Sequence, residues 1–155
     1  MLRLLADDLT GALDSAAAFV PSLGPVRVTF GAKAGSTPIA AHDCGTREVS
    51  PAIAAARVAA LADFLAPGSG IRFFKVDSLL RGNAGAELAA LLSRHSYARI
   101  IIAPALPFQG RITRGGRQCI RTGEVWLPTG EDLAATLRAA GLQVEHRKAG
   151  ASCPI

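Results

Sequence analysis

Short apolar runs alternate with stretches of helical spacing along most of the chain. Residues 2–6 read as a buried strand and 11–20 as a helix of small residues. Strands follow at 26–30 and at 38–42, the latter running into Asp43. Between 51 and 65 the apolar residues Ile53, Ala56, Ala60, Leu61, Phe64 and Leu65 keep to one face of a helix. Pro51 suits its first turn, where no backbone N–H is needed, and Ser50 suits its cap. Pro67-Gly68-Ser69-Gly70 closes it. Residues 71–76 then read as a strand, 84–94 as a helix, and the isoleucine-rich run 99–103, stopped by Pro104, as a further strand. Past Arg117 the period changes. Residues 118–121 and 124–127 flank Thr122-Gly123 as a hairpin. Residues 131–140 read as a helix capped by Thr129 and ended by Gly141, and 142–146 as a last strand.

Strands alternating with helices of about ten residues are the mark of βαβ units. The expected fold class is α/β: a three-layer, mostly parallel open sheet with helices on both faces, Rossmann-like, with a short hairpin near the C-terminal part. A chain of 155 residues, half of them hydrophobic and 19% charged, fits one globular domain over 1–155.

The net charge of +5 narrows the partners less than it first suggests. Four arginines and no acid fall between Arg111 and Arg121, but aromatics are only 5% and no nucleic-acid module is present, so no nucleic acid is expected. Cys44, Cys119 and Cys153 are far apart, and His42, His95 and His146 lack metal-ligand spacing, so no metal site is expected. Ordinary thiols, an opening too short for a secretory segment and the lack of any apolar run near membrane-spanning length give a cytoplasmic protein with no membrane contact.

Four segments carry candidate chemistry. The first is Ala6-Asp7-Asp8-Leu9-Thr10-Gly11-Ala12-Leu13-Asp14, where the first strand meets the first helix. Adjacent side chains leaving a strand face opposite ways, so Asp7 and Asp8 are expected to have different jobs: one reaches into a cleft, the other caps the helix or binds backbone amides. The plain alternative is that both, with Thr10, are only turn and cap residues. Asp14 lies one helical turn beyond Thr10 and shares its face. The second is Asp43-Cys44-Gly45-Thr46-Arg47, with a hydroxyl at Thr46 and a planar fork at Arg47. The third, Lys75-Val76-Asp77-Ser78-Leu79-Leu80-Arg81-Gly82-Asn83, is the densest: two cations, a carboxylate, a hydroxyl, an amide and a glycine directly after an apolar strand. Its plain alternative is a helix cap at Asn83, a Lys75 that reaches solvent and an Arg81 that pairs with Glu87. The fourth, Ala103-Pro104-Ala105-Leu106-Pro107-Phe108-Gln109-Gly110-Arg111, is a proline-stiffened loop ending in a cation. Each follows an expected parallel strand, so all four should converge at one edge of the sheet, as a polar, partly cationic pocket for a small hydroxylated acid.

These four motifs, in this order, resemble the N-terminal domain of the four-carbon acid sugar kinase family. The family's Ala-Asp-Asp-Leu-Thr-Gly-Ala opening is matched by Ala6 to Ala12, with Asp14 following. Its Ser-Arg pair is matched loosely by Thr46-Arg47, its Lys-x-Asp-Ser-Thr-Leu-Arg-Gly-Asn by Lys75 to Asn83, and its Ala-Pro-Ala-Phe-Pro-x-x-Gly-Arg by Ala103 to Arg111. Leu79 departs from a threonine and Leu106 from a phenylalanine. The resemblance implies the substrate-binding domain of an ATP-dependent kinase acting on tetronates or 3-oxo-tetronates. It implies Asp8 and Asp77 as catalytic carboxylates, with Asp8 favoured as the base. It implies substrate contacts from Asp7, Thr10, Asp14, Thr46, Arg47, Lys75, Ser78, Arg81, Asn83 and Arg111, of which Arg47, Lys75 and Arg81 would hold the acid's carboxylate. ATP and Mg²⁺ would be held by a second, C-terminal domain that these 155 residues do not include, so this chain alone should bind neither and be inactive. The alternative is a non-catalytic sugar-acid-binding module or interaction protein; a homodimer is left open.

Overall fold

The computed structural model describes residues 1–130 and 132–146. Strand β1 (Leu2–Ala6) is the axis of the fold, with β3 (Ile39–Asp43) on one side and β4 (Ile71–Lys75) on the other. β2 (Arg27–Phe30) pairs outside β3, giving an all-parallel sheet in the order β2-β3-β1-β4. Alternation along β1 serves both faces. Leu2, Leu4 and Ala6 pack with Ala12 and Ala16 of helix α1 (Leu9–Leu23), whose small side chains allow close approach. Leu5 packs the other way, with Val58 and Leu61 of α2 (Pro51–Leu61) and Leu91 of α3 (Ala84–Arg94). Both faces of the sheet are therefore covered, as parallel sheets require, and the expected α/β class stands.

After α3 the architecture changes. β5 (Arg111–Arg114), β6 (Arg117–Thr122) and β7 (Val125–Thr129) form a separate antiparallel sheet in sequence order. Helix α4 (Leu133–Ala139) packs Leu133 and Leu137 against Leu88 of α3 and Leu80 of the preceding loop. No helix among the described residues is long and apolar enough to cross a membrane.

Several expected elements differ. Helix α1 begins two residues early because Asp8 caps it. The second helix ends at Leu61 and tightens into a 3₁₀ turn over Ala62–Leu65. The hairpin has a third strand, β5, joined to β6 by Gly115-Gly116, both at positive φ (56° and 89°), as a tight two-residue turn needs. Thr129 ends β7 rather than capping a helix; the cap of α4 is Asp132, whose carboxylate accepts from the Ala135 amide. Glu131, expected to open that helix, and Cys153 lie outside the described residues.

Two expected strands do not form. Residues 99–103 have strand-forming side chains but no ladder partner, and a cavity of about 650 Å³ separates them from the edge of β4. Ile100, Ile101 and Ile102 remain 44%, 75% and 39% exposed. Residues 142–146 likewise stay out of either sheet, because Leu142 and Val144 pack against the α3–α4 cluster instead.

Candidate functional site

β1 and β3 are neighbours, yet their chains depart toward opposite faces, one into α1 and the other into α2. Such divergence opens a crevice at the carboxyl edge of the sheet. The loops lining it are tied to one another. The amides of Thr46 and Arg47 both donate to the Asp7 carbonyl, at 2.9 and 3.1 Å. Asn83 donates its side-chain amide to the carbonyls of Thr46 and Val49, each at 2.9 Å. The loop after β3 is thus fastened to the loops after both β1 and β4.

Arg47 is the hub. Its Nε donates to Asp7 Oδ2 at 2.9 Å and its Nη2 to Asp7 Oδ1 at 2.8 Å, a two-pronged pair, while Nη1 donates to Asp8. Asp77 Oδ1 stands 3.9 Å from the same guanidinium. Asp7 is only 2% exposed; burial pushes its carboxyl up from 3.8, and the Arg47 fork opposes that rise. Asp8 turns its other oxygen to the Gly11 amide at 2.8 Å and so caps α1. The two adjacent aspartates do divide their work, one buried under Arg47 and one capping.

Asp77 is bound more densely still. It accepts from Arg81 Nε at 2.9 Å and Nη2 at 2.7 Å, and from the backbone amides of Leu79 at 3.0 Å and Arg81 at 3.2 Å. Burial alone would raise its carboxyl, but these donors outweigh burial and hold it at about 2. Next to it, Ser78 accepts a hydrogen bond from Arg111 Nη1. Lys75 donates to the Val76 carbonyl at 2.7 Å. No carboxylate of the described residues forms an ion pair with Lys75 or Arg111, whereas Arg47 and Arg81 are both paired.

The structure therefore brings Asp7, Asp8, Arg47, Lys75, Asp77, Ser78, Arg81 and Arg111 together. Arg111 arrives by an unexpected route: its loop leaves no parallel strand, and a 3₁₀ turn over Pro107–Gln109 and Gly110 (φ 65°) hand it to β5. Asn83 lies beneath the network as a tie between loops. Thr46 is fully buried, and its hydroxyl has no hydrogen-bond partner among the described residues. Thr10 and Asp14 are exposed on α1, and neither is hydrogen-bonded to the network.

Sequence reading missed two contributors. Gly11 is one: a Cβ there would lie 2.7 Å from Asp8 Oδ1 and 3.3 Å from Lys75 Cγ, so a larger residue would push the capping carboxylate aside. Its signal was its place immediately after the paired aspartates. The other is the inner face of the antiparallel sheet, where Gln118 is completely buried. A lone glutamine in a hairpin strand gives no such signal.

Among the described residues no group of three or more His, Cys, Asp or Glu side chains is placed to hold a metal ion. Asp7, Asp8 and Asp77 instead face arginines.

Residues 2–143 match the family model described as a sugar-binding N-terminal domain. The chain is 37% identical to a D-threonate kinase of Cupriavidus necator, over 90% of this chain and 37% of that protein. It also resembles the crystal structure of a domain of unknown function from Bordetella bronchiseptica, a domain-swapped dimer with bound citrate. That likeness has a TM-score of 0.61 at 30% identity and covers 76% of this chain and 32% of the other. The chain thus spans about a third of the length of these two relatives. With the match running through every site loop described above, the chain belongs to the family of sugar-binding N-terminal domains.

Proposed function

We propose that this chain is the substrate-holding part of an ATP-dependent kinase for four-carbon sugar acids of the tetronate or 3-oxo-tetronate type. One observation carries the reading. Beside the aspartate–arginine network at the carboxyl edge of β1, β3 and β4 stand two cations, Lys75 and Arg111, that no carboxylate of the described residues pairs. A small acid with several hydroxyls supplies what that arrangement lacks, a carboxylate for the cations and donors for the oxygens. The likeness to a D-threonate kinase supports the substrate class.

The geometry refines the roles. Lys75 and Arg111 hold the acid's carboxylate. Arg47 and Arg81, already forked onto aspartates, fix the carboxylates that meet the substrate. Asp77, held at about 2, accepts a hydroxyl hydrogen bond without taking the proton. Asp8 is more open than Asp7 or Asp77 and is assigned as the base that takes the proton from the attacking hydroxyl. Carboxylates so engaged by arginines do not fit a divalent cation, and the proposal assigns ATP and Mg²⁺ to the part of the longer relatives that this chain does not match. There Mg²⁺ and ATP would supply the phosphoryl group and its charge neutralisation. A cytoplasmic location accompanies ATP dependence in this reading.

Thermal unfolding of this chain with D-threonate, other four-carbon sugar acids and ATP tests it. At about 100 times its dissociation constant a sugar acid should add about 2.7 kcal/mol and raise the midpoint by about 5–10 °C. ATP should leave the midpoint unchanged; stabilisation by ATP alone defeats the proposal. Lys75→Gln should abolish the sugar-acid shift while lowering the ligand-free midpoint by only a few degrees, since no carboxylate of the described residues forms an ion pair with Lys75.

A further inference from the structure

We infer that Gln118 and Thr129 are positioning residues that together grip the Asp77–Arg81 turn and hold it in the shape that meets the substrate. For the ligand it affects, this rests on the sugar-acid reading above. The two residues sit directly opposite one another in the β6–β7 register. Side chains of such a cross-strand pair share one face of the sheet, so a single face presents both. Gln118 Nε2 donates to the Ser78 carbonyl at 2.6 Å and to the Pro104 carbonyl at 3.1 Å. Thr129 Oγ1 donates to the next carbonyl, that of Leu79, at 2.7 Å. Consecutive carbonyls of the turn are thus held by one cross-strand pair.

The grip is built in depth. Gln118 is completely buried, and its Oε1 accepts from Thr113 of β5 at 2.8 Å, which fixes the amide's orientation. Gly130, just after Thr129, approaches so closely that a Cβ there would lie 2.4 Å from the Leu79 carbonyl oxygen and 2.6 Å from that of Leu80. Inside the turn, Leu80 is the one described non-glycine residue at positive φ, 54°. A leucine does not choose that conformation on its own; surrounding contacts must impose it. What the imposed shape achieves is visible on its other side. It aims the amides of Leu79 and Arg81 at Asp77 and leaves Ser78 Oγ against Arg111. The antiparallel sheet reaches the site through Arg111 on one strand and through this clamp on the other two.

Thr129→Val keeps the shape of threonine and removes only the hydroxyl; Gln118→Met keeps length and removes the amide. Two measurements on each variant decide the matter. Hydrogen exchange of the Leu79 and Arg81 amides should be about 10-fold faster in both, with β1 amides unchanged, and Thr129→Ser should restore the wild-type rate. The dissociation constant for D-threonate, measured well below the unfolding midpoint, should rise about 10-fold, again with rescue by serine. Unchanged exchange at those amides overturns the clamp whatever the ligand does. Faster exchange with unchanged affinity overturns the positioning role. If the unsubstituted chain binds no four-carbon sugar acid, the functional reading fails, while faster exchange in the variants still upholds the clamp.

Discussion

The parallel sheet and the antiparallel sheet meet at one site but are held together by different means. Around β1 the chain buries leucines, alanines and valines on both faces, and the loops at the carboxyl edge are cross-linked by backbone and arginine hydrogen bonds. The β5–β7 sheet buries little: Gln118 and Cys119 are covered, while Val125 and Leu127 stay about half exposed. It is fastened by polar contacts from Gln118, Thr129 and Arg111. The first region supplies rigidity through area removed from water; the second supplies direction through a few bonds. Mutations in the first should therefore show as lost stability, and mutations in the second as altered geometry at the site.

The largest effect expected is at Arg47. Arg47→Ala leaves the buried Asp7 carboxylate without its fork, and removing one partner of such a pair costs about 3–5 kcal/mol. Urea unfolding measures it. Combining it with Asp7→Asn should recover much of the loss, because the uncompensated charge is then gone; an additive double variant would show that the pair is not the cause. Arg121→Ala, on the exposed flank of β6, should by contrast stay within about 0.5 kcal/mol.

Core truncation comes next. Leu5→Ala, in the cluster shared by α2 and α3, should cost about 2–4 kcal/mol. Leu127→Ala in β7, 47% exposed, should cost less than about 1 kcal/mol. Equal costs would erase the contrast between the two sheets.

The acid limb of stability should trace to Asp77. Its folded carboxyl titrates at about 2 against an ordinary value of 3.8, so its ionised form favours folding. That contribution is present above about 3.8 and is lost as pH falls from there through about 2. It amounts to about 1–2 kcal/mol, trimmed because its partner Arg81 is open to solvent. Asp7 works in the opposite sense and at higher pH: its raised carboxyl takes a proton more readily when folded. Asp77→Asn should be less stable near pH 7 yet lack the loss between about pH 4 and 2, as urea unfolding across that range would record.

The same contrast explains what was legible in the sequence. The β1, β3 and β4 strands and the loops after them could be read because period-two burial and motif spacing are local. Asp7, Asp8, Arg47, Lys75, Asp77 and Ser78 then converge simply because parallel strands share an edge. What could not be read was pairing. That Arg47 is engaged by Asp7 and Asp8 depends on distances between loops some 40 residues apart in sequence, while the Arg81–Asp77 pair, four residues apart, depends on how one turn folds back on itself. Arg111 reaches Ser78, but an antiparallel strand, not a parallel one, carries it there. Gly115-Gly116 was the overlooked sign of that strand.

Residues 99–103 give the smallest predicted effect and the sharpest test of the comparison. Their composition, Arg-Ile-Ile-Ile-Ala, is that of a buried strand, and the free edge of β4 lies across the cavity. Were the segment laddered onto β4, the isoleucines would alternate between the two covered faces, and a polar replacement of any of them would be costly. In the structure Ile101 is 75% exposed, so Ile101→Ser removes almost no buried area and should change stability by less than about 0.5 kcal/mol. The backbone amides of 100–102, having no ladder, should exchange within the fastest class of the chain. A cost of about 2 kcal/mol or more together with protected amides would mean that the parallel region extends one strand further than its hydrogen bonds show. The boundary between the two regions would then lie at Pro104 rather than at the edge of β4.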